Sequence, residues 1–139
     1  MNNLKFRVWD KKIQILGTVS NIDFEYEEVT FYIDDEEELE TCQPFEDVEL
    51  MQSTGFHDKN GVEIFEGDVL NCGYLFTGSP FEEEDEYEEE KGVVKFLNCG
   101  FNIEFKNCNA LFIDIMLNYE DIEVIGNIHE NKELLENDR

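Results

Sequence analysis

Basic residues are scarce in this chain, which has 10 Lys and Arg against 35 Asp and Glu in 139 residues, for a formal net charge of −25. Nucleic acid phosphates repel such a surface, and self-repulsion keeps the chain soluble. The composition therefore predicts no direct binding to DNA or RNA. It leaves open that an acidic surface imitates the charge of a nucleic acid.

Long apolar runs are also missing. No stretch approaches the roughly 18 apolar residues that cross a bilayer, and no apolar segment of a signal peptide follows Met1–Lys5. We therefore expect no membrane association and a cytoplasmic location.

Residue patterns that carry chemistry are absent as well. Only His57 and His129 can serve a nucleophilic triad, and no GxSxG, GxGxxG or GxxxxGK[ST] motif occurs. The four cysteines fit neither a CxxC pair nor a zinc spacing, so we expect free thiols, buried or half-buried: Cys42, Cys72, Cys99 and Cys108. We predict no catalytic residues, no cofactor and no metal site; weak, diffuse binding of divalent cations stays open.

Two acidic runs hold much of the negative charge. Residues 34–40 carry six carboxylates and residues 82–90 carry eight. Neither run offers an apolar face that could dock on a core. We expect both to be inserts, and residues 82–90 to be mobile or irregular.

Outside these runs, apolar residues alternate with polar ones in short segments typical of β-strands. The length predicts one domain. Asn60–Gly61 predicts a tight hairpin turn with positive φ values, Asn98–Gly100 predicts another turn, and apolar residues at helical spacing predict a helix over 110–118 behind an Asn109 cap. The pattern favours a mainly β fold with short helices, a small barrel or a sandwich. The apolar sides of the strands predict these buried residues: Phe6, Val8, Ile64, Val69, Val94, Phe96, Val124, Ile125 and Ile128.

Three ordered segments resemble a known family: KFRVWDK (Lys5–Lys11), LMQSTGFHDKNGVEIFEGDV (Leu50–Val69) and IEVIGNIHEN (Ile122–Asn131). They are similar to the YopX-like proteins of bacteriophages and prophages. Phe56 stands where that family often has Leu. The resemblance implies a mainly β protein with a β-rich portion over about 1–47 and a small SH3-like barrel over about 48–130. It implies no known activity, and fold alone does not decide function.

We predict a non-enzymatic phage accessory protein that binds an unidentified protein of the host or phage, with a homo-oligomer as a second form of assembly. Trp and Arg are favoured interface anchors, although a single Trp in a small domain is more often core. The alternative is an acidic nucleic-acid mimic that blocks a DNA-binding defence or regulatory protein of the host. The residues that we predict to contact partners are Arg7, Trp9, Glu82, Glu83, Glu84, Asp85, Glu86, Tyr87, Glu88, Glu89 and Glu90.

Overall fold

A computed structural model describes residues 4–33, 40–76 and 86–136 of the chain. The backbone divides into two compact units, Met1–Gly55 and Phe56–Arg139. The sequence predicted two portions that meet near residue 47, whereas the units divide between Gly55 and Phe56.

The first unit is built from antiparallel strands in the order β4-β3-β2-β1-β5. The strands are β1 (Phe6–Asp10), β2 (Ile15–Asp23), β3 (Glu28–Tyr32), β4 (Glu40–Pro44) and β5 (Val48–His57), with a 3₁₀ helix at Phe45–Asp47. Alternate residues of these strands point to one face, as the pleat of a strand requires. They form a core of Val8, Val29, Phe31 and Val48.

The second unit has a sheet in the order β10-β9-β8-β7-β11. Its elements are β6 (Glu63–Phe65), β7 (Asp68–Phe76), β8 (Glu86–Leu97), β9 (Gly100–Phe105), β10 (Asn109–Leu111), α1 (Phe112–Asn118), β11 (Asp121–Asn127) and α2 (Glu133–Glu136). The mainly β fold with short helices is therefore confirmed. The SH3-like barrel stays a prediction, because the pairings among the described residues give this sheet an open strand order.

The core prediction is right for four of its nine residues. Val8, Ile64, Val69 and Val94 are fully buried. Four predicted core residues are only half-buried: Phe6, Val124, Ile125 and Ile128. Phe96 is wrong as a core residue, since its side chain is 47% exposed.

Ile125 lies at a β-bulge of β11. Val124 pairs with Leu70 and Gly126 pairs with Val69, so β11 has one more residue than β7 between these two pairs. Ile125 is the extra residue, and a bulge redirects the side chains of the strand that contains it. The prediction placed both Val124 and Ile125 in the core, although consecutive residues of a regular strand face opposite sides.

The turn at Asn60–Gly61 exists, but its geometry differs from the predicted one. Gly61 N–H donates to Asp58 O (3.0 Å), and Asp58 N–H donates to Val62 O (2.8 Å). Gly61 has φ of 82°, whereas Asn60 is not among the residues with positive φ. Glycine therefore follows the turn in the left-handed conformation instead of forming its centre together with Asn60.

The turn with two left-handed central residues lies at Asn98 and Cys99, with φ values of 54° and 66°. These two residues join Leu97 and Gly100, which face each other on β8 and β9. Asparagine tolerates this conformation, while the Cβ of a cysteine is strained there.

Replacing Cys99 with glycine is therefore expected to raise the free energy of unfolding of the protein, by about 0.5–1 kcal/mol. The same change at Asn98 should raise it less, because asparagine already accepts the left-handed conformation. Urea denaturation of both variants measures the difference, and a Cys99→Gly variant less stable than the wild type would contradict it.

The helix predicted over 110–118 is confirmed as α1, with Phe112 and Ile115 buried (3% and 5% exposed). The predicted Asn109 cap is wrong. Asn109 lies in β10, and the N-cap residue is Leu111, which makes no side-chain capping bond.

Candidate functional site

Buried polar side chains hold the turns of the three segments that resemble the family. Asp10, Asp58, Asp68 and Asn127 are each at most 8% exposed. Each accepts hydrogen bonds from backbone N–H groups of a nearby turn. Buried polar groups need such partners. These polar residues of the family segments thus serve the fold, and none of them was in our predicted core.

Asp58 makes the largest of these networks. Its Oδ1 accepts from Asn60 N–H (2.9 Å) and Val62 N–H (2.8 Å), and its Oδ2 accepts from Val124 N–H (2.9 Å). Burial alone raises the pKa of the Asp58 carboxyl, but the three N–H donors outweigh burial and hold the pKa below its ordinary value of 3.8. A single carboxylate therefore joins the turn at 58–61 to β11.

The two predicted interface anchors on β1 are not exposed side chains. Trp9 is only 6% exposed, and Arg7 is half-buried. The alternative for Trp9, a core position, agrees with this burial. The exposure on which part of our functional hypothesis depended is therefore missing at Trp9.

The acidic run 82–90 is only partly what the sequence predicted. Glu82, Glu83, Glu84 and Asp85 lie outside the described residues, as do residues 34–39 of the first run. Residues 86–90, in contrast, form the start of β8 and pair in register with β7, from Phe76 opposite Glu86 to Cys72 opposite Glu90. The prediction of irregular structure is wrong for Glu86–Glu90.

Tyr87 attaches the acidic segment to the neighbouring strands, a contact that we did not predict. Its ring lies over Gly73 of β7, where a Cβ would overlap the tyrosine. Its hydroxyl donates to Asp121 Oδ2 of β11 (2.7 Å), and this bond raises the pKa of Tyr87 to about 12. One aromatic residue thus ties an otherwise acidic segment across two strands, while Glu88, Glu89 and Glu90 remain exposed.

Four phenylalanines of the second unit form a continuous series of edge-to-face contacts, which we call the aromatic row. The ring centroids of Phe56 and Phe112 are 5.5 Å apart, those of Phe112 and Phe101 are 6.3 Å apart, and those of Phe101 and Phe96 are 5.2 Å apart. Phe112 belongs to the core, whereas Phe56 and Phe96 at the two ends are 40% and 47% exposed. The row therefore extends from the hydrophobic core to the surface at both ends.

Separate elements bring the aromatic row together. Phe56 comes from the end of β5, Phe96 from β8, Phe101 from β9 and Phe112 from α1. Phe96 and Phe101 face each other across the hairpin, two residues beyond the fully buried pair Val94 and Ile103. We predicted none of these residues as a site. The signals in the sequence were the twelve phenylalanines and the unusual Phe56, neither of which reveals the contacts.

Further apolar side chains are exposed in the second unit. They lie at the end of β8, at the end of β10 and on the outer side of α1: Leu97 (40%), Leu111 (56%), Ile113 (45%) and Leu117 (75%). A contiguous apolar patch marks an interaction surface, whereas single exposed apolar residues are normal on a folded protein.

A pocket of about 250 Å³ lies in the same unit, with Phe105, Leu134 and Leu135 among its apolar lining. Its polar lining consists of Glu90, Lys91, Glu104, Lys106, Asn107 and Cys108. Among the described residues of this lining, none is a histidine, serine or threonine.

The cysteines are free, with Cys72 buried and the other three exposed. Burial raises the pKa of the Cys72 thiol to about 12, which makes it unreactive at neutral pH. The exposure of Cys42, Cys99 and Cys108 differs from the predicted burial. Among the described residues, no group of three or more His, Cys, Asp or Glu side chains could hold a metal ion.

These observations define a class of protein: a mainly β chain of two units, with an aromatic row on the second. The chain belongs to the YopX protein family, whose family model matches residues 5–136. Among curated proteins, no sequence matches it. Within the described residues, no helix is long and apolar enough to cross a membrane.

Among solved structures, the chain is similar to protein EF1440 from Enterococcus faecalis. The two are 24% identical, the TM-score is 0.61, and the match covers 97% of this chain and 99% of that one. At this identity the similarity extends to the fold alone.

Proposed function

We propose that this protein is a non-enzymatic accessory protein of a bacteriophage or prophage, and that it acts in the host cytoplasm by binding another protein. The aromatic row is the observation that carries this proposal. Membership of the YopX family supports the phage origin through the resemblance stated above.

The aromatic row has the properties of a binding surface. Aromatic residues dominate the energetics of interfaces, and the strongest contributions come from large side chains in well-packed surroundings. Phe56 and Phe96 are each held by an edge-to-face neighbour, so little conformational freedom is lost when a partner covers them.

The net charge favours a different protein over a second copy of this chain. Two copies bring a charge of −25 each to one interface, and like charges oppose association. A partner with an apolar centre and a basic rim fits the row and is steered towards it by the field of the whole chain. A homo-oligomer remains an outcome of the test.

The test compares the wild type with a Phe56→Ser/Phe96→Ser variant in affinity capture from phage-infected host cells, followed by affinity measurement with the purified partner. We expect the double variant to bind the captured protein at least about 30-fold more weakly, as loss of a hot spot of about 2 kcal/mol requires. Sedimentation of the wild type alone measures its oligomeric state.

The matched control is Ile13→Ser, which removes an apolar side chain of similar exposure (48%) from the first unit. It should bind as the wild type does. If the double variant and the wild type bind the same proteins with equal affinity, the aromatic row is not the binding surface and the proposal fails.

The regular strand at Glu86–Glu90 favours a second candidate, an acidic mimic of nucleic acid. Glu88 and Glu90 lie on one face of β8, about 6.6–6.8 Å apart along the strand. Pairing with β7 holds this spacing fixed, as a mimic requires, although it is wider than the charge spacing of a DNA strand, about 3.4 Å. Replacing the carboxylates of residues 82–90 with Gln and Ser should weaken binding to a DNA-binding host protein and reduce its salt dependence; unchanged binding would contradict the mimic.

A further inference from the structure

The hairpin between β2 and β3 in the first unit exposes two aromatic side chains at its tip, residues 23–28. Phe24 is 78% exposed and Tyr26 is 70% exposed. Most of the surface of both rings therefore stays in contact with solvent, where a partner can reach it.

The backbone of the tip is well held. Asp23 Oδ1 accepts from Glu25 N–H (2.9 Å) and Tyr26 N–H (3.0 Å). Glu27 O accepts from Phe45 N–H (2.8 Å). The Phe24 ring meets the Phe45 ring edge to face, with centroids 6.0 Å apart. A partner would therefore meet rings that are already positioned, which lowers the entropy cost of binding.

The charges within the tip itself all have one sign. Residues 23–28 read DFEYEE, with four carboxylates and no basic residue. The 3₁₀ helix at Phe45–Asp47 adds Glu46 and Asp47, of which Asp47 is already paired with Lys12 Nζ (3.0 Å). Glu25, Glu27 and Glu28 are exposed. Aromatic faces attract cations, and arginine also forms paired hydrogen bonds with carboxylates.

We propose that the tip at residues 23–28 is a docking site for arginine and lysine side chains of a basic protein segment. Phe24 and Tyr26 supply cation–π contacts, and the neighbouring carboxylates pair with the same cationic groups. Anionic nucleic acids and anionic lipid surfaces are repelled by this surface. The site lies in the first unit and does not depend on the aromatic row.

The test is an NMR titration of the full-length ¹⁵N-labelled protein with an acetylated and amidated triarginine peptide at physiological salt. The largest chemical-shift changes are expected at residues 23–28 and at Phe45. A Phe24→Ala/Tyr26→Ala variant keeps all 35 carboxylates and should bind about tenfold more weakly, which corresponds to two cation–π contacts.

Two further variants serve as controls: one should bind the peptide more tightly, and one should leave binding unchanged. Phe24→Trp/Tyr26→Trp should bind the peptide more tightly than the wild type, because Trp is the best cation–π partner. Phe56→Ser/Phe96→Ser should bind it as the wild type does, so failure at the tip is distinguishable from failure at the aromatic row.

Three results would overturn this proposal. Shift changes could spread over the carboxylates of β8, the alanine variant could bind as tightly as the wild type, or phosphatidylcholine vesicles could displace the peptide from the tip. The last result would assign the rings to a lipid surface.

Discussion

Replacing Asp58 with alanine is expected to lower the free energy of unfolding by roughly 3–5 kcal/mol, because three backbone N–H groups lose one charged acceptor. The donors belong to Asn60, Val62 and Val124, and the first two lie in the turn while the third lies in β11. Such a loss is a large part of the roughly 5–15 kcal/mol that stabilises a typical domain. Urea denaturation at pH 7 measures it.

Asp58→Asn is the matched control, because it preserves the shape of the side chain and removes its charge. The amide can accept only through its oxygen, and its NH₂ group faces one of the N–H donors. We therefore expect an intermediate loss of stability. An Asp58→Ala variant within about 0.5 kcal/mol of the wild type, the range of ordinary surface substitutions, would contradict the role of Asp58 in joining the turn to β11.

The stability difference between the wild type and Asp58→Asn should depend on pH in a defined direction. The pKa of Asp58 in the folded protein lies below 3.8, so its ionised form contributes stability above that value and loses it as the pH falls through the folded pKa. The stability difference between wild type and Asp58→Asn should therefore be largest at neutral pH and should shrink below pH 3.8. A difference that grows in acid would show that the N–H bonds do not favour the ionised carboxyl.

Local pattern predicted much of the β structure. Alternation of apolar and polar residues predicted a mainly β fold, and helical spacing located α1. These features depend on neighbours within a few residues, which is the range over which side-chain periodicity and turn chemistry act.

The wrong predictions depend on contacts between distant residues. The start of β8 looked like a loop because its carboxylates offer no apolar face, yet pairing with β7 and the bond from Tyr87 to Asp121 hold it as a strand. The bulge at Ile125 exists only in the register between β11 and β7. Neither contact leaves a periodic signal in the sequence.

The aromatic row was beyond sequence reasoning for the same reason. Its members are 40, 5 and 11 positions apart in the order Phe56, Phe96, Phe101 and Phe112. Only the Phe96 and Phe101 pair lies within one hairpin, and even there Phe96 was predicted to be buried. The remaining contacts depend on where Phe56 and α1 lie against the sheet of the second unit.

Replacing Ile103 with alanine is expected to lower the free energy of unfolding by roughly 3–5 kcal/mol, since it leaves a cavity in a close-packed core. Ile103 is fully buried in the core of the second unit, opposite Val94. Ile113→Ala makes the same chemical change at a side chain that is 45% exposed in the same unit, and it should cost less than about 1 kcal/mol. Equal losses for the two variants, measured by urea denaturation, would show that Ile103 is not part of the core.

Gly92 lies against Ile103, so substitutions at both positions test whether the two residues share one space in the core. A Cβ at Gly92 would overlap Ile103 Cγ2 and lie 3.0 Å from two ring carbons of Phe105, so Gly92→Ala alone should cost about 1–3 kcal/mol through overpacking. In the double variant, Ile103→Ala removes the overlapping methyl, and the new methyl at position 92 fills part of the cavity. The combined loss should therefore be smaller than the sum of the single losses, by about 1–2 kcal/mol. Additive losses would mean that the two side chains do not share one space, because residues in direct contact are the ones whose stability effects couple.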